Sequence, residues 1–279
     1  MPYSHAGEIG DIWKHLPLCE ILCLERPAQY NETTSAFAEY MLPELETKEY
    51  GVFRLLDKVD AGEKSRYAYF RFLRDLDTKN TRKYFGSPAL AMAILGKDAA
   101  YCFHDIEQPA LDSVSAFAQK AGLSARTVLG DSIAAFMDKD REFSSDCLVF
   151  IDPYRPFDQN AGGHSFFDIF ERLCHAGTKT VLWYGYETLN GQKAMLDRLF
   201  MIARSCGRNI HAFDLWQEAM TGDACPVNPG VPGCGLALCN LSDASVTVTG
   251  ELLRLVEKAY QGAEFGGAAA SLKSRYTGM

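Results

Sequence analysis

Four consecutive apolar residues, Leu148-Val149-Phe150-Ile151, end abruptly at Asp152-Pro153-Tyr154-Arg155-Pro156. A strand run without a polar side must be covered on both faces, so a chain built around it has to supply helices above and below one sheet. Asp152 then stands at the carboxyl end of a central strand, the edge where open α/β sheets bind ligands. An acceptor, a rigid turn and a flat ring at that edge suit an amino group on a planar ring. The same residues also make an ordinary strand-ending turn, because Asp and Pro each favour turns.

The flanking sequence provides the layers. Strands are expected at 99–103, ending in His104-Asp105, at 126–129, ending in Gly130-Asp131-Ser132, and at 180–184. Between and after them, helical spacing covers 89–95, 109–121, 133–137, 166–174 and 192–205. Pro88 suits a first helical turn and Ser87 a cap. Strands at 210–215 and 235–240 flank a loop rich in Pro and Gly with no helix between them, which predicts an antiparallel pair at the sheet edge. Near the N-terminus, His5-Ala6-Gly7 leads into a helix whose buried side carries Ile12, Leu16, Cys19, Ile21, Leu22 and Cys23. Strands alternating with helices in this way specify a doubly wound sheet with helices on both faces.

At 279 residues and 47% hydrophobic content the chain has ample material for a core. No apolar run approaches the roughly 20 residues of a membrane span, and the first residues lack a signal-peptide pattern, so a cytoplasmic protein is expected. The nine cysteines are scattered, mostly among apolar neighbours; Cys225 and Cys234 alone are a weak zinc signal, and no metal is expected. A net charge of -8 excludes a surface that binds nucleic acid by overall electrostatics. Locally the balance reverses. Between Glu63 and Phe85 fall Lys64, Arg66, Arg71, Arg74, Lys79, Arg82 and Lys83, interleaved with Tyr67, Tyr69, Phe70, Phe72 and Tyr84. Cations among aromatic rings can neutralise phosphates and stack unpaired bases, or can form a solvated helix face over an aromatic core.

The ordered landmarks resemble the bacterial large-subunit ribosomal RNA methyltransferase J family, which methylates the exocyclic amine of an adenine in 23S rRNA with S-adenosylmethionine. His5-Ala6-Gly7 with Asp11 and Lys14-His15 is similar to that family's HAG-x-x-x-D-x-x-KH. Lys48-Glu49-Tyr50-Gly51 falls where its helical insertion begins. Tyr84-Phe85-Gly86-Ser87-Pro88 resembles its Y-x-GSP, Asp152-Pro153-Tyr154 its DPPY, Leu182-Trp183-Tyr184 its LWY, and Gly233-Cys234-Gly235-Leu236 its closing strand entry. The resemblance implies a class I (Rossmann-like) methyltransferase domain at 1–47 and 85–279, with a helical insertion at 48–84.

It also implies roles. Asp152 and the Pro153 carbonyl would accept the amine hydrogens, and Tyr154 would stack on the base. Lys14, His15, Glu32, Ser87, His104, Asp105 and Asp131 would hold the cofactor, with Lys14 toward its carboxylate and Asp131 toward its adenine. His5, Arg71, Arg74, Arg82 and Arg155 would meet an RNA substrate whose adenine lies in a single-stranded or opened region. The sequence departs from the family where DTHAGAG becomes Glu32-Thr33-Thr34-Ser35-Ala36-Phe37-Ala38, without the glycines that let backbone amides approach a ligand. Two alternatives follow from that loss: a methyltransferase fold kept as a binding module without catalysis, or a methyltransferase turned to a small molecule.

Overall fold

The computed structural model describes residues 5–153 and 155–279; Tyr154, expected to stack on a planar ring, lies outside them. The chain opens with helix α1 (Ile9–Glu25) and strand β1 (Gln29–Glu32). A two-stranded ribbon, β2 (Glu39–Met41) with β3 (Lys83–Phe85), then brackets the short helices α2 (Glu46–Lys48), α3 (Arg54–Lys58), α4 (Ala61–Arg66), α5 (Ala68–Asp75) and α6 (Thr78–Thr81), with a π-helical turn at Glu49–Phe53. Next come α7 (Ser87–Leu95), β4 (Ala100–Asp105), α8 (Gln108–Lys120), β5 (Ala125–Leu129), α9 (Ser132–Met137) and β6 (Cys147–Ile151). They are followed by α10 (Phe166–Ala176), β7 (Lys179–Tyr186), α11 (Leu189–Cys206), β8 (Ile210–Gln217), β9 (Gly233–Cys239) and α12 (Asp243–Ala259). A small hairpin, β10 (Glu264–Phe265) with β11 (Ala268–Ala269), leads to β12 (Leu272–Gly278).

Eight strands make one sheet in the order β12-β8-β9-β7-β6-β1-β4-β5. β5, β4, β1, β6 and β7 run parallel, while β9 is antiparallel to both β7 and β8. The chain leaves β1 toward β4 and β5 on one side and returns through β6 and β7 on the other, so the β1/β6 boundary is the topological switch point. Parallel strands with one reversed strand inserted before the last form the sheet of class I methyltransferases. Here the inserted pair is not at the edge, as the loop between its strands suggested. All seven residues of β9 are buried, which requires a neighbour on each side, and the polar β12 closes the edge beyond β8 instead.

The central strand shows why the sheet needs two covers. Leu148 and Phe150 pack with α1, α7 and α12, whereas Val149 and Ile151 pack with α10 and α11 on the opposite face. Successive side chains of a strand point to opposite faces, so a run apolar at every position feeds both cores. α1 lies in the first of these cores, buried along most of its length and packed on α5, α7, α12 and β9. Tyr50, Val52, Leu55, Tyr69, Phe70 and Leu73 from the bracketed segment join that same core.

Two of the landmark glycines answer to close backbone approach. A Cβ on Gly51 would sit 2.1 Å from the Gly7 carbonyl oxygen, the oxygen that accepts the Val52 amide. One on Gly86 would sit 2.2 Å from the Phe37 carbonyl oxygen. These contacts tie the start of α1 to the π-helical turn, and β3 to the segment after β1.

Candidate functional site

The site begins with a lysine shared between two carboxylates. Asp152 follows β6 at its carboxyl end, and α1 brings Asp11 and Lys14 to it at i, i+3 spacing, which places both on one side of the helix. Lys14 Nζ lies 2.7 Å from Asp152 Oδ2 and 2.8 Å from Asp11 Oδ1, and Asp11 Oδ2 accepts the Gly7 amide at 3.1 Å. The Lys14 ammonium also stands 5.5 Å from the Trp183 ring centre. Burial alone would lower the lysine, but the two carboxylates outweigh it and hold the ammonium above its usual value. Burial likewise opposes ionisation of Asp11; Lys14, His15 and the Gly7 amide prevail and keep Asp11 below the ordinary range. For Asp152 burial wins despite Lys14, with Asp11 adding to it, and the carboxyl is pushed up.

This trio borders a cavity of about 700 Å³. Its wall includes His5 and Glu8 from the start of α1, Pro153 and Arg155 after β6, Trp183 and Tyr186 on β7, and Val231 before β9. Glu8 sits between two cations: its Oε1 is 2.7 Å from Nζ of the fully buried Lys48 and its Oε2 is 2.8 Å from His5 Nδ1. Burial would raise Glu8, but those partners bring it below the usual value, and the bond to Glu8 raises His5 in turn. Among the residues expected from the sequence, the structure therefore gathers His5, Lys14, Asp152, Pro153 and Arg155 around one cavity.

Apart from Lys14, the residues expected to hold the cofactor are not among those lining it. Glu32, at the end of β1, is fully buried; its Oε1 accepts the Tyr30 hydroxyl at 2.5 Å and its Oε2 accepts Ser87 Oγ at 3.0 Å. Burial pushes that carboxyl well above the carboxylate range. Ser87 accordingly does not cap α7: Gly86 holds the cap position, and the serine hydroxyl is spent on Glu32. His15 is a core histidine, its Nδ1 3.0 Å from the Tyr84 hydroxyl, which also meets the Tyr69 hydroxyl. His104 bonds the Glu32 carbonyl through Nδ1 at 3.1 Å and faces Arg141 Nη1 through Nε2 at 3.3 Å. That pairing makes Nδ1 the donor and Nε2 the acceptor of a neutral ring. Burial brings both imidazoles down to about 4.

At the ends of β4 and β5 the two carboxylates expected from the resemblance to meet the cofactor both hold groups of this chain. Asp105, 1% exposed, accepts the Ala36 amide at 2.8 Å and the Glu107 amide at 2.9 Å. Asp131 caps α9 through the Ala134 amide and accepts Asn160 Nδ2 at 2.8 Å. Without glycines, the loop after β1 folds onto β4, with the Ser35 amide on the His104 carbonyl. The residues fit S-adenosylmethionine in kind, acids for ribose hydroxyls and an adenine amine and a cation for a carboxylate. Binding would exchange hydrogen bonds of the chain for those of the ligand, and such exchanges contribute little net free energy.

The basic residues of the bracketed segment are likewise engaged. Arg82 donates to the Leu42 and Pro43 carbonyls at 2.8 and 2.7 Å, meets Glu49 at 3.1 Å and lies 4.4 Å from the Phe53 ring centre. Arg74 bonds its neighbour Asp75, and Arg71 the Arg66 carbonyl. The arginine cluster expected to meet RNA thus also ties the segment to itself, and none of the three arginines lines the cavity. Arg155 does, within 3.8 Å of Asp158.

Sequence reasoning gives no role to Asp11, Glu8 and Lys48, Trp183, Arg141 or Asn160. Asp11 had a signal, its i, i+3 spacing to Lys14, and Trp183 stands in the Leu182-Trp183-Tyr184 landmark. Lys48 and Arg141 sit in charged stretches that read as surface, and only tertiary contact reveals their burial.

No family model and no curated protein matches the sequence. Among solved structures, the chain is similar to protein LPL1258 from Legionella pneumophila str. Philadelphia 1, described with family-model DUF519. That match has 16% identity over 97% of this chain and 98% of the other, with a TM-score of 0.67. It is also similar to a SAM-dependent methyltransferase from Agrobacterium tumefaciens, at 13% identity over 83% of this chain and 62% of the other, TM-score 0.44. A third is the O-methyltransferase TomG from Streptomyces achromogenes, in complex with SAM, at 13% identity over 81% and 79%, TM-score 0.40. At this identity the likeness to LPL1258 is one of fold.

Proposed function

We propose that this chain is a methyltransferase that uses S-adenosylmethionine, and that the cavity beyond β6 and β7 receives the group to be methylated. The observation that carries the reading is Asp152, a carboxylate held by Lys14 at the carboxyl end of β6, beside the switch point and on the cavity wall. S-adenosylmethionine supplies an electrophilic methyl group on a sulfonium, which a nitrogen lone pair can take. Lys14 fixes one oxygen of Asp152 and leaves Oδ1 to accept an amine hydrogen, orienting the nitrogen and drawing off developing positive charge. Pro153 stiffens the chain beside it, and the Trp183 ring and Val231 give the cavity an apolar side. Lys14, Asp105 and Asp131 would hold the cofactor.

The finer form, an exocyclic adenine amine in ribosomal RNA, is supported by the ordered landmarks and by the basic residues at 64–83. A second reading, a binding module without catalysis, is favoured by the bonds that Asp105 and Asp131 already make within the chain. Transfer of labelled methyl from S-adenosylmethionine to oligoadenylate RNA and to small amines tests both. The methyltransferase reading expects Asp152→Asn, which keeps an acceptor oxygen, to retain part of the transfer, and Asp152→Ala to lose roughly a hundredfold or more with folding intact. Equal rates per folded molecule in both variants and the wild type would remove Asp152 from the mechanism; no transfer to any acceptor would favour the binding module.

A further inference from the structure

We propose that the cavity binds a small organic cation, an amine protonated at neutral pH and carried on a planar or apolar frame. The inference concerns what occupies the cavity and stands without methyl transfer; an ammonium has no lone pair and takes a methyl group only after giving up its proton.

Charge bookkeeping around the cavity carries the argument. Lys14 is one ammonium between two carboxylates, Asp11 and Asp152. Glu8 is matched by Lys48, and Asp158 lies near Arg155. Glu187, also on the wall and exposed, forms no ion pair among the described residues. The wall and its partners therefore carry more negative than positive charge even with His5 protonated, and part of the excess sits at Asp152, whose side chain is only 12% exposed. Solvent screens a charge that deep poorly, so a cation beside it is favoured and an anion is opposed.

Shape and ring placement agree. A volume near 700 Å³ suits a small molecule, and Trp183 forms part of its wall. The Trp183 ring already faces one ammonium, that of Lys14, and a ring face attracts cations through its quadrupole. Gly10 and Gly185 flank it: a Cβ at either would come within 3.2 or 3.1 Å of the indole, so the absence of side chains there lets the ring lie close to α1 and β7. Among the described residues no donor meets Asp152 Oδ1, whereas Oδ2 is held by Lys14. The occupant that completes this wall brings N–H donors and positive charge to Asp152 and an apolar frame to Trp183. Phosphate-bearing ligands bring the opposite charge.

The test is binding without S-adenosylmethionine, read by thermal shift and calorimetry. Tyramine and tryptamine are compared with 4-hydroxyphenylacetate and indole-3-acetate, which keep the rings and reverse the charge, and with adenosine monophosphate. The amines are expected to bind one per chain, at least tenfold more tightly than their acidic counterparts. That preference should fall severalfold in Asp152→Asn and in Glu187→Gln, the second a surface change that leaves folding intact. Failure of both amines to bind, equal binding of the acids, or amine binding unaltered in both variants would overturn the inference. Tighter binding of adenosine monophosphate would overturn it in favour of a nucleotide. Because cofactor is absent from the assay, a chain that binds amines but never S-adenosylmethionine would retain this inference and lose the methyltransferase reading.

Discussion

Lys14 is the residue on which the site's electrostatics turn. Removing one partner of a buried ionic network leaves charge without compensation, so Lys14→Met, which leaves Asp11 and Asp152 facing each other, is expected to cost about 3 kcal/mol of unfolding free energy. Adding Asp152→Asn removes the repulsion and should recover part of that loss in a denaturant double-mutant cycle; strict additivity would mean the two do not share one network. His15 gives a pH signature. Its folded value near 4 lies below the unfolded 6.5, so its contribution is complete above 6.5 and is lost as pH falls toward 4, at about 1.4 kcal/mol per pH unit. Glu32 acts in the opposite sense, because its raised carboxyl keeps a proton that the unfolded chain releases. The difference between wild type and His15→Asn isolates the imidazole: the variant should lose about one proton's worth of slope between pH 4 and 6.5, and an unchanged slope would show that His15 titrates normally. At this scale the sequence was legible where chemistry and position coincide. Asp152 ends an apolar run, and Lys14 follows Asp11 by one turn. Lys48, Arg141 and Asn160 were not, because each acquires its role from a segment far away in the chain.

Among the elements, α1 does most to position the site, since it supplies Asp11 and Lys14 while its other residues fill the core between the sheet, α7 and α12. The bracketed segment's arginines belong to the same architecture. Arg82 fastens the ribbon through two carbonyls, Glu49 and the Phe53 ring, so Arg82→Ala should cost about 2 kcal/mol in urea unfolding. Arg74, exposed and paired with its neighbour, should cost less than about 0.5 kcal/mol, and equal losses would contradict this division. Elements whose apolar pattern is local were readable: β6, β7 and α10 each show it within their own length. α12 and β12 carry a weaker signal. The β-branched run Val246-Thr247-Val248-Thr249 near the start of α12 favours a strand by propensity, and tertiary burial of Leu252, Leu253 and Val256 overrides it. β12 is an edge strand of mostly polar residues, and only its pairing with β8 reveals it.

For the whole molecule, one sheet order fixes where chemistry can occur. Reversal of direction at β1/β6 opens the edge at which Asp152, Asp105 and Asp131 end their strands or follow them, while α1 closes that edge from the other side with Lys14. The alternation of elements made the doubly wound sheet legible, but not the edge strand β12 that moves the antiparallel pair inward. The state of the cofactor cradle was legible only in part: the missing glycines were visible, but the loop's fold onto Asp105 and the bond from Asn160 to Asp131 were not. The central claim, that this edge takes S-adenosylmethionine, is tested most directly by calorimetric titration of S-adenosylmethionine and S-adenosylhomocysteine into the wild type and into Asn160→Ala. One ligand per chain is expected, with severalfold tighter binding once Asn160 no longer occupies Asp131, and a gain of about 2.7 kcal/mol in stability at a hundred times the dissociation constant. Absence of heat and of stabilisation at millimolar ligand in both proteins would contradict the claim.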